Sequence, residues 1–274
     1  MKQFDIGDIR PLIAQADSAA FDPEIYRETG FFVVRGVVPR DQVDIWQDEW
    51  QAFYRGSLDG KRKVNPFNPV HVHEEPPEAL ANIHAHPAIL DVLEKLYPDL
   101  AIFMQRFVIK DGSSRKPVFP HGDFAYDYGW PEKTTCFIPL SPSNARNGGI
   151  SFYPGTHHFG YMGDAGEVNV QLLKPDWPLI CPELEPGDIA LCHTCTWHSS
   201  PAFVSGPDRI LVQATYQPSS DPSSTALLRG EWRARYRLSE VPRDQFFTRC
   251  RSSRMRELQS RLDALDREMG LAAG

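Results

Sequence analysis

His121 and Asp123 stand two residues apart, His198 follows much further along the chain, and Ser200 and Arg209 come after it. Two imidazoles and one carboxylate are the ligand set of a non-haem Fe(II) centre that keeps positions open for a co-substrate and O2. A guanidinium is a rigid fork of N–H donors. Held at a fixed distance from such a metal, it suits the far carboxylate of a dicarboxylate co-substrate. The chemistry implied is oxidation by O2 with 2-oxoglutarate as co-substrate. Taken singly, a His-x-Asp pair, a histidine at a strand end and an arginine opening a strand are all commonplace. Their joint occurrence, in order and on strands, carries the reading.

The elements that must position these groups can be read from periodicity and punctuation. Residues 118–124 read as a strand or its end, where positions i and i+2 face one way, so His121 and Asp123 would aim together. Gly122 between them lets backbone or ligand come close. His198 ends the run 188–198, which follows the turn signal Pro186-Gly187. A Ser-, Pro- and Gly-rich loop (199–208) leads into 209–216, a strand by its β-branched content. An antiparallel return is expected to set Arg209 beside Ser200. Upstream lie a strand at 31–38, an amphipathic helix at about 41–54 behind Pro39, and a helix at 87–96. The fold expected is mainly β with flanking helices (α+β), built on a double-stranded β-helix, the cupin-like jelly roll. Residues 1–218 form that single domain. Residues 219–274 form a helical C-terminal extension in which Met255, Leu258, Leu262, Leu265 and Met269 make a narrow seam. The seam either docks on the domain or forms a homodimer contact.

Further motifs give these residues a family context. Tyr26-Arg-Glu-Thr-Gly30-Phe-Phe-Val-Val-Arg-Gly36 resembles an opening strand and turn, and Phe107-Val-Ile-Lys110 precedes His121-Gly-Asp123. Asn147-Gly148-Gly149 is followed by Pro154-Gly155-Thr156-His157, and Pro186-Gly187-Asp188 precedes the segment from His198 to Arg209. Over most of residues 20–218 the chain resembles the phytanoyl-CoA dioxygenase family of Fe(II)/2-oxoglutarate oxygenases, the His198–Arg209 offset being the most specific point of likeness. The resemblance implies that His121, Asp123 and His198 bind iron. It implies that Arg209, helped by Ser200, holds the distal carboxylate of 2-oxoglutarate, and that Lys110 is a cationic co-substrate contact. Where some members place a tryptophan beside the co-substrate, this chain has Ile138. Halogenating relatives replace the carboxylate ligand with a small residue. Asp123 is present, so hydroxylation or a related oxidation of an unactivated C–H bond is implied, with release of succinate and CO2.

Composition bounds the alternatives. With 274 residues and 41% hydrophobic content the chain can bury a substantial core, and 24 prolines and 19 glycines suit many short strands and turns. A net charge of −7 argues against nucleic acid as a partner. No run has the length of a membrane span, and the N-terminus lacks an apolar signal core. Five cysteines without a secretion signal suggest reduced thiols in a cytoplasmic protein. Cys192-His-Thr-Cys195 lies in an expected strand, where i and i+3 face opposite sides, and reads as structural. His193 has the wrong strand parity to join His198, and His157 and His158 read as turn residues. The patch His71, His73, His84 and His86 lacks a carboxylate or arginine at a matching offset and reads as solvated or substrate-lining. Phe124, Tyr126, Tyr128 and Trp130 would share one face if the strand persisted, leaving Asp127 toward the pocket, where it could hold an amine. The substrate expected is a small, partly apolar metabolite, such as one of secondary metabolism. Two other classes fit less well. One is a jelly-roll binding protein that has lost turnover. The other is a cupin-type enzyme using zinc or manganese without 2-oxoglutarate.

Overall fold

The helices that flank the sheets begin and end where the sequence supplies caps. In the computed structural model, which describes residues 4–57, 71–73, 78–97, 99–126, 130–160 and 168–221, α1 (Ile6–Ile13) starts at Asp5, whose carboxylate accepts the Gly7 N–H at 2.8 Å. α2 (Pro23–Thr29) starts at Asp22, whose Oδ1 accepts from Glu24 and Ile25, and it stops on Gly30 at φ 75°. First-turn N–H groups have no intrahelical acceptor, and a left-handed residue ends a helix most cheaply when it is glycine. α3 (Arg40–Ser57) and α4 (Pro87–Leu93) complete the helical layer. The first of these is longer than the expected 41–54 helix, and the second is shorter than the expected 87–96.

The strands are β1 (Asp17–Ser18), β2 (Phe31–Val34), β3 (His71–His73), β4 (Leu100–Lys110), β5 (Val118–His121), β6 (Thr134–Pro139), β7 (Ser151–Phe152), β8 (Ile189–His193), β9 (His198–Ser200) and β10 (Arg209–Pro218). Among the described residues they form a seven-stranded sheet in the order β1-β2-β8-β6-β10-β4-β3 and a three-stranded sheet in the order β5-β9-β7. Two sheets of this kind are the expected jelly roll. The β-branched run that opens at Arg209 is a central strand, antiparallel to β4 on one side and β6 on the other. It is buried from Arg209 to Gln217, with apolar residues at the even positions and the polar Arg209, Gln213, Thr215 and Gln217 among the odd ones.

The alternation of β4 decides what faces what. Phe107 stacks on Trp50 of α3 at 4.7 Å between ring centroids, and Gln105 bonds the backbone around Leu80 and His84, so odd positions meet the helical layer. Arg106 donates through Nε to Gln213 of β10, and Gln213 in turn bonds Asp123, so even positions look toward the smaller sheet. The register pairs Lys110 with Arg209 and Arg106 with Gln213, four residues apart on one face. The helix side carries the hydrophobic core, with Trp46, Trp50, Leu80, Ile89, Leu93, Phe107 and Ile109 all buried. Truncating Phe107 to alanine there would cost about 3–5 kcal/mol.

Several sequence expectations need correction. The strand at 31–38 stops at Val34, because Gly36 (φ 62°) turns the chain away. The strand through His121 stops there too. Residues Asp123–Tyr126 form a 3₁₀ turn, pinned by the Phe124 N–H to the Thr194 carbonyl at 3.0 Å, so the strand parity of the following aromatics does not hold. His84 is not solvated: it is buried, and its Nδ1 lies 2.8 Å from Gln105 Oε1. Cys192 and Cys195 are buried and form no disulfide, as a structural pair requires, although Cys195 sits in the turn after β8 rather than in the strand. The side chains of His71 and His73, residues Asp127 and Tyr128, and the tail 222–274 with its seam and any dimer contact lie outside the described residues.

Candidate active site

The three candidate ligands converge from two strand ends and a turn. His121 closes β5 and His198 opens β9, and the two residues are paired across the smaller sheet. Asp123 opens the 3₁₀ turn beyond Gly122, and a side chain at that glycine would press on the Thr194 carbonyl at 3.3 Å. His121 Nε2 lies 3.7 Å and His198 Nε2 3.6 Å from Asp123 Oδ1. All three ligand atoms fall within 4.8 Å of one another, and this is the one such cluster among the described residues.

Each ligand is oriented from behind. His121 Nδ1 meets the Phe119 carbonyl at 2.8 Å, and His198 Nδ1 meets the Thr196 carbonyl at 3.0 Å. A carbonyl only accepts, so Nδ1 carries the proton in both rings and the Nε2 lone pairs point at the shared centre. Burial, and then His198 beside it, hold His121 down to about 4, which keeps it neutral and able to ligate. Burial alone would raise the Asp123 carboxyl, but His198, His121 and Arg106 outweigh it and keep the group below its ordinary range. Asp123 is only 4% exposed. Its Oδ2 accepts from Thr135 Oγ1 at 2.9 Å and from Gln213 Nε2 at 3.0 Å, leaving Oδ1 toward the histidines. Thr135 and Gln213 were missed in the sequence. Gln213 has the strand parity of Arg209, a usable signal, whereas nothing local marks Thr135.

The path to His198 differs from the one expected. β8 ends at His193, and the turn 194–197 carries the chain across to the smaller sheet. Thr196 Oγ1 donates to the Gly30 carbonyl at 2.8 Å, and the Trp197 N–H donates to Thr156 Oγ1 at 2.8 Å, fixing the crossing. Parity counted from His193 to His198 therefore has no meaning, although His193 does stay outside the cluster. His157 and His158 bond the carbonyls of Arg27 and Glu28, as turn residues would.

Arg209 does not return alongside Ser200, because β10 and β9 belong to different sheets. Lys110 joins them. It lies opposite Arg209 in the register, and its Nζ donates to the carbonyls of Ser200 (3.3 Å), Lys116 (3.4 Å) and Pro201. The Ser200 hydroxyl donates to the Gly148 carbonyl at 2.6 Å. Gly148 has φ 82°, and a Cβ there would strike Lys110 Cδ at 2.4 Å, which gives the Asn147-Gly148 motif its reason. Ile138, in the place of the family tryptophan, is buried on β6.

Arg209 is the anomaly of the site. It is 0% exposed, yet its Nε, Nη1 and Nη2 all lack a hydrogen-bond partner. Burial lowers it to about 9, and burial with the Arg209 charge beside it lowers Lys110 to about 7. A buried charge without a partner is costly, so a site that keeps one is built for an anion that arrives. A dicarboxylate fits this donor set.

The comparisons agree with that geometry. Residues 26–211 match the family model described as phytanoyl-CoA dioxygenase (PhyH). The chain belongs to the phytanoyl-CoA dioxygenase family. As a family member it is a non-haem Fe(II)- and 2-oxoglutarate-dependent oxygenase. Compared with curated protein sequences, it finds no match. Among solved structures it is similar to the epimerase SnoN in complex with Fe3+, α-ketoglutarate and nogalamycin RO, at 19% identity over 85% of this chain and 95% of that one, TM-score 0.62. It is similar to EctD from S. alaskensis with 2-oxoglutarate and 5-hydroxyectoine, at 20% identity over 72% and 74%, TM-score 0.60. It is also similar to HygX from Streptomyces hygroscopicus with nickel and 2-oxoglutarate, at 16% identity over 81% and 100%, TM-score 0.57. At these identities the structural likeness is one of fold. No helix among the described residues is long and apolar enough to cross a membrane.

Proposed function

We propose that His121, Asp123 and His198 hold the Fe(II) of this family member, and that Arg209 and Lys110 take up 2-oxoglutarate for oxidation of a small-molecule substrate, most simply by hydroxylation. The observation that carries the reading is the buried, unpartnered Arg209 guanidinium. A carboxylate arriving from outside would complete it. Lys110, pinned by backbone carbonyls next to it, adds a second donor. The Ser200 hydroxyl, now given to Gly148, lies in the same corner and can turn to the incoming group.

When bound, iron and 2-oxoglutarate supply the oxidising power by coupling O2 reduction to loss of CO2 and formation of succinate. The protein's own residues do the rest. The Phe119 and Thr196 carbonyls fix the tautomers of His121 and His198, and Thr135 and Gln213 hold Asp123 so that one carboxylate oxygen faces the metal position. Asp123 fills the carboxylate position and so leaves no room there for halide. The solved relatives include complexes with nogalamycin RO and 5-hydroxyectoine, which supports a small organic molecule as substrate here. A cytoplasmic setting is consistent with buried cysteines that form no disulfide.

The test is an anaerobic titration of metal-free protein with Fe(II) and then 2-oxoglutarate, following the visible charge-transfer band of the chelate. A band in the wild type that weakens in Asp123→Ala and Arg209→Ala is expected. A folded wild type without a band would overturn the reading in favour of a binding protein or another metal.

A further inference from the structure

The site has a third cation, apart from the Arg209–Lys110 pair that takes the far carboxylate of the co-substrate. Arg106 lies on the same face of β4 as Lys110, four residues nearer the start of the strand. At about 3.3 Å per residue that is about 13 Å along the sheet. Its Nε donates to Gln213 Oε1 at 3.0 Å, and Gln213 passes the contact on to Asp123 Oδ2 at 3.0 Å. The guanidinium is thus two hydrogen bonds from the metal carboxylate, and its charge is felt at both His121 and Asp123. It is not buried as Arg209 is. It is partly buried on the inner face of the sheet, and among the described residues its two Nη groups meet neither a hydrogen-bond acceptor nor a carboxylate within ion-pair distance. Single hydrogen-bonding through Nε leaves the Nη edge, two parallel donors, open to a planar anion.

The three cations therefore stand at two different positions around the ligand cluster. Arg209 with Lys110 closes one end of the inter-sheet space, fully buried. Arg106 stands at the cluster itself, beside Asp123, on the part of β4 that solvent still reaches. A co-substrate whose far carboxylate is on Arg209 does not use the Nη edge of Arg106 for that carboxylate, and the edge is open to a second anion that enters from solvent.

We infer that Arg106 is the specificity-determining anchor for the prime substrate, and that this substrate carries a carboxylate, or a planar anion of like shape, near the carbon that is oxidised. The inference rests on the functional reading above. Arg106 thereby serves two purposes: its Nε edge orients the Gln213 amide toward Asp123, and its Nη edge receives the substrate.

The experiment uses the full chain loaded anaerobically with Fe(II) and saturating 2-oxoglutarate. It is titrated with monocarboxylates from propionate to benzoate and with the matching primary amides, reading perturbation of the chelate band and heat of binding. Carboxylates are expected to bind at least tenfold more tightly than their amides. In Arg106→Gln the preference should shrink to less than twofold while the chelate band still forms. Arg106→Lys, which keeps the charge and loses the fork, should retain part of the preference and guards against a folding defect in the first variant. Wild-type protein that takes acids and amides alike, or neither, overturns the inference. So does a fall in band intensity on adding acid, which would mean displacement of 2-oxoglutarate, or an Arg106→Gln variant that loses 2-oxoglutarate as Arg209→Ala does. Failure of the functional reading looks different: no chelate band forms in the wild type before any acid is added.

Discussion

The two halves of the site are built on opposite terms. At the ligand cluster, atoms that do not face the centre are already satisfied: the Nδ1 groups of His121 and His198 by backbone carbonyls, and Asp123 Oδ2 by Thr135 and Gln213. At Arg209 nothing is satisfied, although the side chain is fully buried. The first half is preorganised by the chain alone. The second is finished only by its ligand. Metal geometry should therefore survive without co-substrate, whereas the Arg209 end should store a destabilisation that co-substrate relieves.

The largest expected effect breaks the preorganised half outright. Support residues around metal ligands typically matter by about 10–100-fold. Removing a ligand should exceed this, so His198→Ala or Asp123→Ala should lower Fe(II)-dependent succinate formation by more than about 100-fold with the fold intact by circular dichroism. Retention of wild-type turnover in either would dismiss that residue as a ligand.

Arg209 separates the two halves most sharply. Truncating one member of a buried charge pair costs about 2–5 kcal/mol, so Arg209→Met should weaken 2-oxoglutarate binding by about 30-fold or more. Without ligand the same substitution removes a buried unpaired charge in favour of an apolar chain of similar length. The ligand-free variant should then be more stable than wild type, by about 1–4 kcal/mol. Thermal unfolding with and without 2-oxoglutarate tests both at once. Wild type should gain stability from the ligand, and the variant should start higher and gain little. A ligand-free variant that melts earlier than wild type would show that Arg209 already has a partner.

Thr135→Val is a subtler disturbance of the cluster. It keeps the shape of the side chain and removes one of the two donors to Asp123 Oδ2. Fe(II) affinity should fall by about 10–100-fold, with 2-oxoglutarate affinity of the metal-loaded protein little changed. Equal losses in both would mean that the two halves are coupled through β6 and β10.

How much of this was legible before the structure depends on whether a contact is local. Arg209 opening a β-branched strand, and the ordered set His121, Asp123 and His198, are visible because strand content and residue type are written locally. The geometry joining them is not. His121 and Asp123 were expected to share a strand face. They come together instead across a strand end and a 3₁₀ turn, held by the Thr194 carbonyl from a segment far along the chain. The run 188–198 shows no break in its polarity at 194, yet the chain changes sheets there, anchored by Gly30 and Thr156. Periodicity reports which side of a strand is apolar and is silent about which sheet the strand joins. That silence is also why Arg209 was set beside Ser200 when Lys110 is what links them.

The smallest expected effect is a pH slope, and it belongs to the unfinished half. Burial, and then the Arg209 charge, hold Lys110 down to about 7 from its ordinary 10.5. In the unfolded chain the amine keeps its proton until about 10.5, and in the ligand-free fold it gives it up near 7. Between these values the unfolded state binds more protons, so the stability of the ligand-free protein should rise with pH across that window. Below about pH 7 both states are protonated and the contribution is flat. Bound 2-oxoglutarate brings negative charge to Lys110, raises its pKa and should flatten the slope. Lys110→Met should remove this part of the slope in ligand-free protein. Urea midpoints at pH 7 and pH 9, with and without 2-oxoglutarate, make the comparison. A slope that is the same in wild type and Lys110→Met, or unaffected by 2-oxoglutarate, would mean that Lys110 is a structural strut to the carbonyls of Ser200 and Pro201 and no part of the anion site.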